Sequence, residues 1–387
     1  MTMKWKKVLI RISIALGVII TLTIGGGFIA YRYFLAPLMS TNLAVPEELK
    51  RTGVLIGEEF LSKSIYVQDA RLGTISDIAI GELDPSPGPE VAIVGTRGAL
   101  FLDRNAKIKS FVLFSVRAGH VVTVDVDSDG ITEFLDRGRG WHDVSLMDHK
   151  GNAIWTYGGM PGVNNISAGD LNGDGIIDFV VGFNGGGGVR LLDRNAKEKW
   201  KQTDGNVWHV ELADVNADGS LEIIHSNAGG QMIVRNKDGQ IIHSSKPAPY
   251  FSSFSLSRWP TKKSQQYALL AEKDIIWLFD FFGKSVTQFD APTGGTHGDA
   301  KGVATTIRRD QPEYFAVVVE YSHWNKSILY VYESNSKLVY QEIIPETCSS
   351  IASLSFDSGE RESLLLGCDG KVWKYSQKNS NQLSIEK

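Results

Sequence analysis

The chain has 387 residues, 22% of them charged and 42% hydrophobic, with 44 acidic against 40 basic side chains and a formal net charge of −4. That balance fits a folded core and excludes a basic nucleic-acid-binding surface. Two cysteines are too few to build a cysteine metal centre.

The first eleven residues form a basic tail with Lys4, Lys6, Lys7 and Arg11 and no acid, followed by 20 uncharged residues from Ile12 to Tyr31. A stretch of that length spans a bilayer, and its basic flank stays in the cytoplasm. Residues 12–34 are therefore expected to be a single-pass signal-anchor helix in the cell membrane, with the remainder extracytoplasmic. A signal peptide cleaved near Gly25 to Gly27 is the alternative. Residues 35–62 read as a linker, and Lys63 to Asp69 (KSIYVQD) as a strand.

Between Asp125 and Glu222 nearly the same nine residues occur three times: DVDSDGITE, DLNGDGIID and DVNADGSLE. Side chains at positions 1, 3, 5 and 9 with the carbonyl of position 7 can wrap one hard cation, and Gly at position 6 permits the tight turn. The first set is Asp125, Asp127, Asp129, Ile131 and Glu133. The second is Asp170, Asn172, Asp174, Ile176 and Asp178, and the third Asp214, Asn216, Asp218, Ser220 and Glu222. Close carboxylates repel by about 4 kcal/mol per pair at an intermediate dielectric, and oxygen donors suit calcium better than zinc. About three Ca2+ sites are therefore expected. An EF-hand is excluded because the flanks, such as HVVTVDV and IIDFVVG, are short, apolar and β-branched, which marks strands.

The loop frame continues in both directions. GELDPSPGPEVAIVG is a degraded copy with Ser86 in place of an acid, and FSLSRWPTKKSQQYALLAE, TTIRRDQPEYFAVVVE and SLSFDSGERESLLLGC keep the strand, polar hairpin and apolar strand. Starts near Glu82, Asp125, Asp170, Asp214, Arg258, Thr305 and Leu354 lie 43 to 49 residues apart. A second hairpin follows in LFLDRNAKIKSF, LMDHKGNAIWTY, LLDRNAKEKWKQ and VRNKDGQIIH. Two hairpins per period make a four-stranded antiparallel blade, so residues 63–387 are predicted to be an all-β, seven-bladed β-propeller. The strand at Lys63 or the C-terminal QLSIEK would close the last blade.

These loops resemble the FG-GAP/VCBS repeat family, the propeller repeats of integrin alpha-chain heads and many surface proteins. The likeness is specific from Asp125 to Glu222 and extends by pattern over Arg71 to Lys387. The literal Phe-Gly and Gly-Ala-Pro words are absent from these loops, which places the chain nearer the VCBS style. The resemblance implies calcium at the loop residues above and a role in binding or adhesion.

Cys348 and Cys368 flank the last hairpin symmetrically and are either a cross-strand disulfide or two buried thiols. On the face away from the acid loops, Arg139, Trp141, His142, His225, Tyr321, His323 and Trp324 offer rings beside polar groups, a chemistry suited to a glycan or protein ligand. Asp77, His120, Asn165 and His209 precede successive loops by five residues and are expected to ring the central channel. A polysaccharide-active enzyme using that channel, or a passive scaffold of an envelope complex, are the alternatives. No HExxH helix, nucleophile elbow or phosphate loop is present, so the expected role is a membrane-anchored binding module, more readily than an enzyme.

Overall fold

The sequence period reappears as hydrogen-bonded sheets. The computed structural model describes residues 45–378 apart from 86–89, 117, 139–142, 159–160, 204, 248–249, 261–264, 273, 292–298, 308–312 and 356–361. Seven antiparallel sheets follow one another along the chain, each a meander running outward from an inner strand. The inner strands are Ile75–Gly81, His120–Val124, Val163–Gly169, Val210–Ala213, Ser255–Arg258, Asp299–Thr305 and Ser350–Leu354, which begin blades 1 to 7.

The second strand of a blade lies between two neighbouring blades, so both its faces are covered. Glu90–Gly95 and Asp178–Phe183 are accordingly buried at every position, which explains their unbroken apolar runs. Outer strands such as Ile108–Leu113 alternate toward solvent. Instead of one central core, the described residues form seven apolar clusters, each joining two adjacent blades. Phe101 of blade 1 meets Phe134 of blade 2 edge-on at 6.4 Å, for example.

Polar side chains join the inner strands, whose facing backbone edges are otherwise unpaired. Ser76 Oγ donates to the Val121 carbonyl at 2.7 Å and accepts its N–H, and Asp77 accepts the Thr123 N–H at 2.9 Å. Asn165 Oδ1 accepts the Val210 N–H at 3.0 Å, and Ser255 Oγ donates to the Ala300 carbonyl at 2.8 Å. These partners are 45 or 46 residues apart, the blade period itself.

Leu61–Gln68 closes the ring by pairing antiparallel with Lys371–Gln377 as the outer strand of blade 7. The expected closing strand is thus observed, beginning two residues earlier than Lys63, while the C-terminal competitor lies outside the described residues. At the same seam Ser349 Oγ donates to the Ile75 carbonyl at 2.6 Å, and the Ile75 N–H donates to the Cys368 carbonyl at 3.0 Å. Cys348 and Cys368 are fully buried and joined as a disulfide.

Residues 35–62, expected to be linker, carry structure in their described part. Leu49, in the 3-10 turn Glu48–Lys50, is fully buried between blades 5 and 6, and Gly53–Ile56 adds a fifth strand to the edge of blade 6. The expected anchor at residues 12–34 lies outside the described residues. Among the described residues no helix is long and apolar enough to cross a membrane.

Candidate metal loops and channel mouth

The three acid loops join the first and second strands of blades 2, 3 and 4, so they share one face of the ring. Gly130, Gly175 and Gly219 at position 6 have φ of 83°, 79° and 88°, and a Cβ there would meet nothing within 4 Å. Backbone conformation alone therefore calls for glycine.

Blade 2 has the most convergent carboxylates. One oxygen each from Asp125, Asp127 and Glu133 lies within 4.8 Å of the others. Asp125 Oδ2 accepts the Gly130 N–H at 3.0 Å, whereas its Oδ1 is buried with no hydrogen-bond partner. Glu133 Oε2 accepts the Val126 N–H at 3.0 Å; burial nevertheless raises its pKa, with the three loop aspartates adding to the rise. An oxygen-seeking cation would satisfy the orphaned Oδ1 and relieve the repulsion, so this residue set fits calcium. In blade 3, Asp170 accepts four backbone N–H groups through its two oxygens, which holds its pKa below the usual carboxylate range against burial. In blade 4, Asp214 Oδ2 accepts the Gly219 N–H, and burial raises the pKa of Glu222.

A feature outside the loops separates the blades. In each of blades 1 to 4 the outer strand carries a bulge, which frees one residue from the ladder: Lys109, Ile154, Lys199 and Ile242. Lys199 donates to both oxygens of Asp178, at 2.6 and 2.9 Å, and Lys109 is paired with Glu90 and with Asp84. Glu90 and Asp178 occupy position 9 of their loops. Blades 1 and 3 therefore supply an ammonium to the acid that closes the loop, and blades 2 and 4 place isoleucine there. The degraded loop of blade 1 has the same lysine device. The signal in sequence is IKSF and EKWK against AIWT and QIIH, legible only once the register is known.

On the opposite face a cavity of about 490 Å3 opens at the channel mouth. His120, Asn165 and His209 line it as expected. Asp77 does not; it is engaged by Thr123 of the next blade, whose N–H and hydroxyl both donate to it at 2.9 Å. His209 Nε2 lies 3.0 Å from Glu211 Oε1 and its ring meets Phe254 edge-on at 4.8 Å. Burial depresses the His120 pKa well below the usual histidine value, with Lys301 and Arg137 adding to the effect, so its imidazole is neutral. Sequence reading missed Arg137 as a channel residue, and Lys301, Asp299 and Glu320 altogether. Asp299 and Glu320 are cross-strand partners in blade 6, where the acid loop has faded and no motif marks them.

The expected ligand face is only partly surface. His225 is fully buried in the second strand of blade 4, where Arg235 Nε donates to its Nε2 at 3.1 Å, so it is a core histidine. Tyr321 is buried in the cluster between blades 5 and 6, against which the half-buried Trp324 packs. His323 is exposed, and Arg139, Trp141 and His142 lie outside the described residues. Trp208 and Tyr250, unanticipated, are exposed on the inter-blade loops leading into blades 4 and 5.

Among solved structures the fold resembles BBS1N in its complex with ARL6DN, with a TM-score of 0.57 at 10% identity over 81% of this chain and 96% of that chain. It also resembles streptogramin B lyase (0.55, 12%, 82% and 98%) and the Neurospora crassa Pan2 WD40 domain (0.51, 13%, 83% and 97%). At such identities the likeness is one of fold alone. No curated protein matches the sequence. Residues 170–225, from the acid loop of blade 3 to the second strand of blade 4, match the model of the FG-GAP-like repeat. The chain is thus a seven-bladed propeller that carries an FG-GAP-like repeat.

Proposed function

We propose that this protein is a calcium-stabilised binding module, tethered outside the cytoplasm by its N-terminal apolar segment, whose face opposite the acid loops engages a glycan or protein partner. The convergence of Asp125, Asp127 and Glu133 around a buried, unpartnered oxygen carries the reading. Calcium at these loops is structural, holding hairpins on one face while the channel mouth and inter-blade loops remain open on the other. Lysine already neutralises the closing acid of blade 3, so blades 2 and 4 depend on the ion most. Extracellular sites of this kind bind with dissociation constants on the order of 0.1 to 1 mM.

The test is binding of the full-length chain to a broad glycan, cell-wall and membrane-protein array, in calcium and again in chelator. A hit present in calcium and lost in chelator supports the reading. A folded chain that binds nothing in either condition sinks it.

A further inference from the structure

The outer strand of each blade ends the sheet in an open backbone edge, and proteins guard such edges with polar side chains. Blade 3 exposes Glu198, Lys199 and Lys201 there, and the outer strands of blades 1, 2, 4, 5 and 7 mix exposed polar side chains with the apolar ones. Blade 6 differs. Its fifth strand, Gly53–Ile56, exposes Val54, Leu55 and Ile56 in succession, and it pairs with Leu338–Ile344 on one edge while its other edge meets no strand among the described residues. Three consecutive exposed apolar residues on an open edge are a liability unless something covers them.

The flanks of this strand are charged with opposite sign. Arg51 precedes it in extended conformation, and Glu58 and Glu59 follow it. Glu59 is paired with Lys378 at 3.2 Å, whereas the side chains of Arg51 and Glu58 are exposed and make no hydrogen bond or ion pair among the described residues. The run RTGVLIGE, Arg51 to Glu58, is therefore complementary in charge to its own reverse.

We propose that the occupant of this edge is the same strand of a second copy of the chain, paired antiparallel about a two-fold axis between Val54 and Leu55. In that register Val54 of each chain faces Leu55 of the other, and Arg51 faces Glu58 at both ends. The two open edges satisfy each other and the exposed apolar run is covered. The strand lies on the rim of the ring, so pairing leaves both faces of each propeller open and does not depend on the partner proposed above. A contact of four residues a side is at the small end of specific interfaces, so the dimer is reversible.

The experiment is sedimentation of the full-length chain in mild detergent, from low micromolar to near-millimolar concentration, with thiol crosslinking to fix the register. A monomer–dimer equilibrium is expected. Leu55→Lys, at an exposed side chain, should abolish it. Arg51→Glu should weaken it at least about tenfold by setting like charges opposite each other, and the double variant Arg51→Glu with Glu58→Arg should restore it. A short bis-maleimide should join Arg51→Cys chains to Glu58→Cys chains in a mixture but neither variant to itself, since like positions lie roughly 20 Å apart across the axis. A chain that stays monomeric throughout overturns the proposal. So does a dimer that folded Leu55→Lys and Arg51→Glu leave unchanged, which would place the contact elsewhere, or a crosslink of Arg51→Cys to itself.

Discussion

The ammonium of Lys199 sits 2.6 Å from one oxygen of Asp178 and 2.9 Å from the other, although the two residues are 21 apart and lie on the fourth and second strands of blade 3. The contact exists because the outer strand is bulged where Lys199 stands. One extra residue in an outer strand thus decides how much negative charge a loop on the inner hairpin must bear.

Exchanging that residue between blades should move calcium dependence with it. Ile154 is 55% exposed, so Ile154→Lys disturbs little packing and should raise the melting temperature in chelator. Lys199→Ile should lower it. In saturating calcium the differences should shrink, since binding at a hundredfold excess over Kd contributes about 2.7 kcal/mol. Thermal melts of the three proteins, with and without calcium, check this. Asp125→Asn should remove most of the calcium-induced rise, and a wild-type rise in the variant would show that blade 2 holds no ion.

The disulfide joins the residues flanking the first hairpin of blade 7, inside the apolar cluster that blade 7 shares with blade 6. Closing a loop of 20 residues should contribute about 3 kcal/mol. Cys348→Ala with Cys368→Ala should melt several degrees lower than the oxidised wild type and be insensitive to reductant. Alkylation of the unreduced, denatured wild type followed by mass spectrometry should find no free thiol.

Two buried carboxyls set an unusual pH response. Asp136 accepts the Gly119 N–H at 2.9 Å while its other oxygen is buried without a partner, and burial pushes its pKa up to about 7. Burial, with Asp299 nearby, does the same for Glu320. A raised acid holds its proton more tightly when folded. Its stabilising contribution is therefore complete below the unfolded value near 4 and is lost as pH rises through about 7. In chelator, wild-type stability should fall from mildly acid to mildly alkaline pH by an amount on the order of a few kcal/mol, and Asp136→Asn should flatten part of that slope. Denaturant titrations at several pH values measure it, and parallel slopes for the two proteins would dismiss Asp136 as a source.

Gly188 and Gly186 make a matched pair of tests in the tetraglycine turn of blade 3. Gly188 has φ of 65°, and a Cβ would lie 1.7 Å from the Gln202 carbonyl oxygen, whereas a Cβ on Gly186 meets nothing within 4 Å. Gly188→Ala should destabilise by about 1 to 3 kcal/mol or more, and Gly186→Ala by close to nothing. Equal melting temperatures for the two variants would contradict the turn geometry.

Legibility in the sequence followed charge and period. The acid loops of blades 2 to 4 were readable because metal-type spacing tolerates little variation, and blades 5 to 7 because their second strands, YALLA, FAVVV and SLLLG, must be apolar on both faces. The second hairpins of blades 5 and 6, at Asp280 to Lys284 and Glu333 to Lys337, use the same backbone turn as Asp103 to Lys107 but have lost its wording, so they escaped notice. Gly53–Ile56 has only four residues and no alternation to betray a strand. His225 was misplaced because histidine reads as a surface residue, although its neighbours in EIIHS, buried throughout, place it in a covered strand. The opposed charges of the channel come from blades 2 and 6, and no spacing rule within one repeat connects them.

Ser62 and Ser376 touch across a separation of 314 residues, because the strand that completes the last blade precedes the first blade in the chain. During synthesis Leu61–Gln68 leaves the ribosome before any blade and must wait, with its backbone edge unsatisfied, until Lys371–Gln377 has followed. The six intervening blades can stack in order of emergence, but the circle latches only after they have all been made. A chain cut short before residue 371 would therefore carry both halves of an open latch, and quality control could recognise it by that exposed edge.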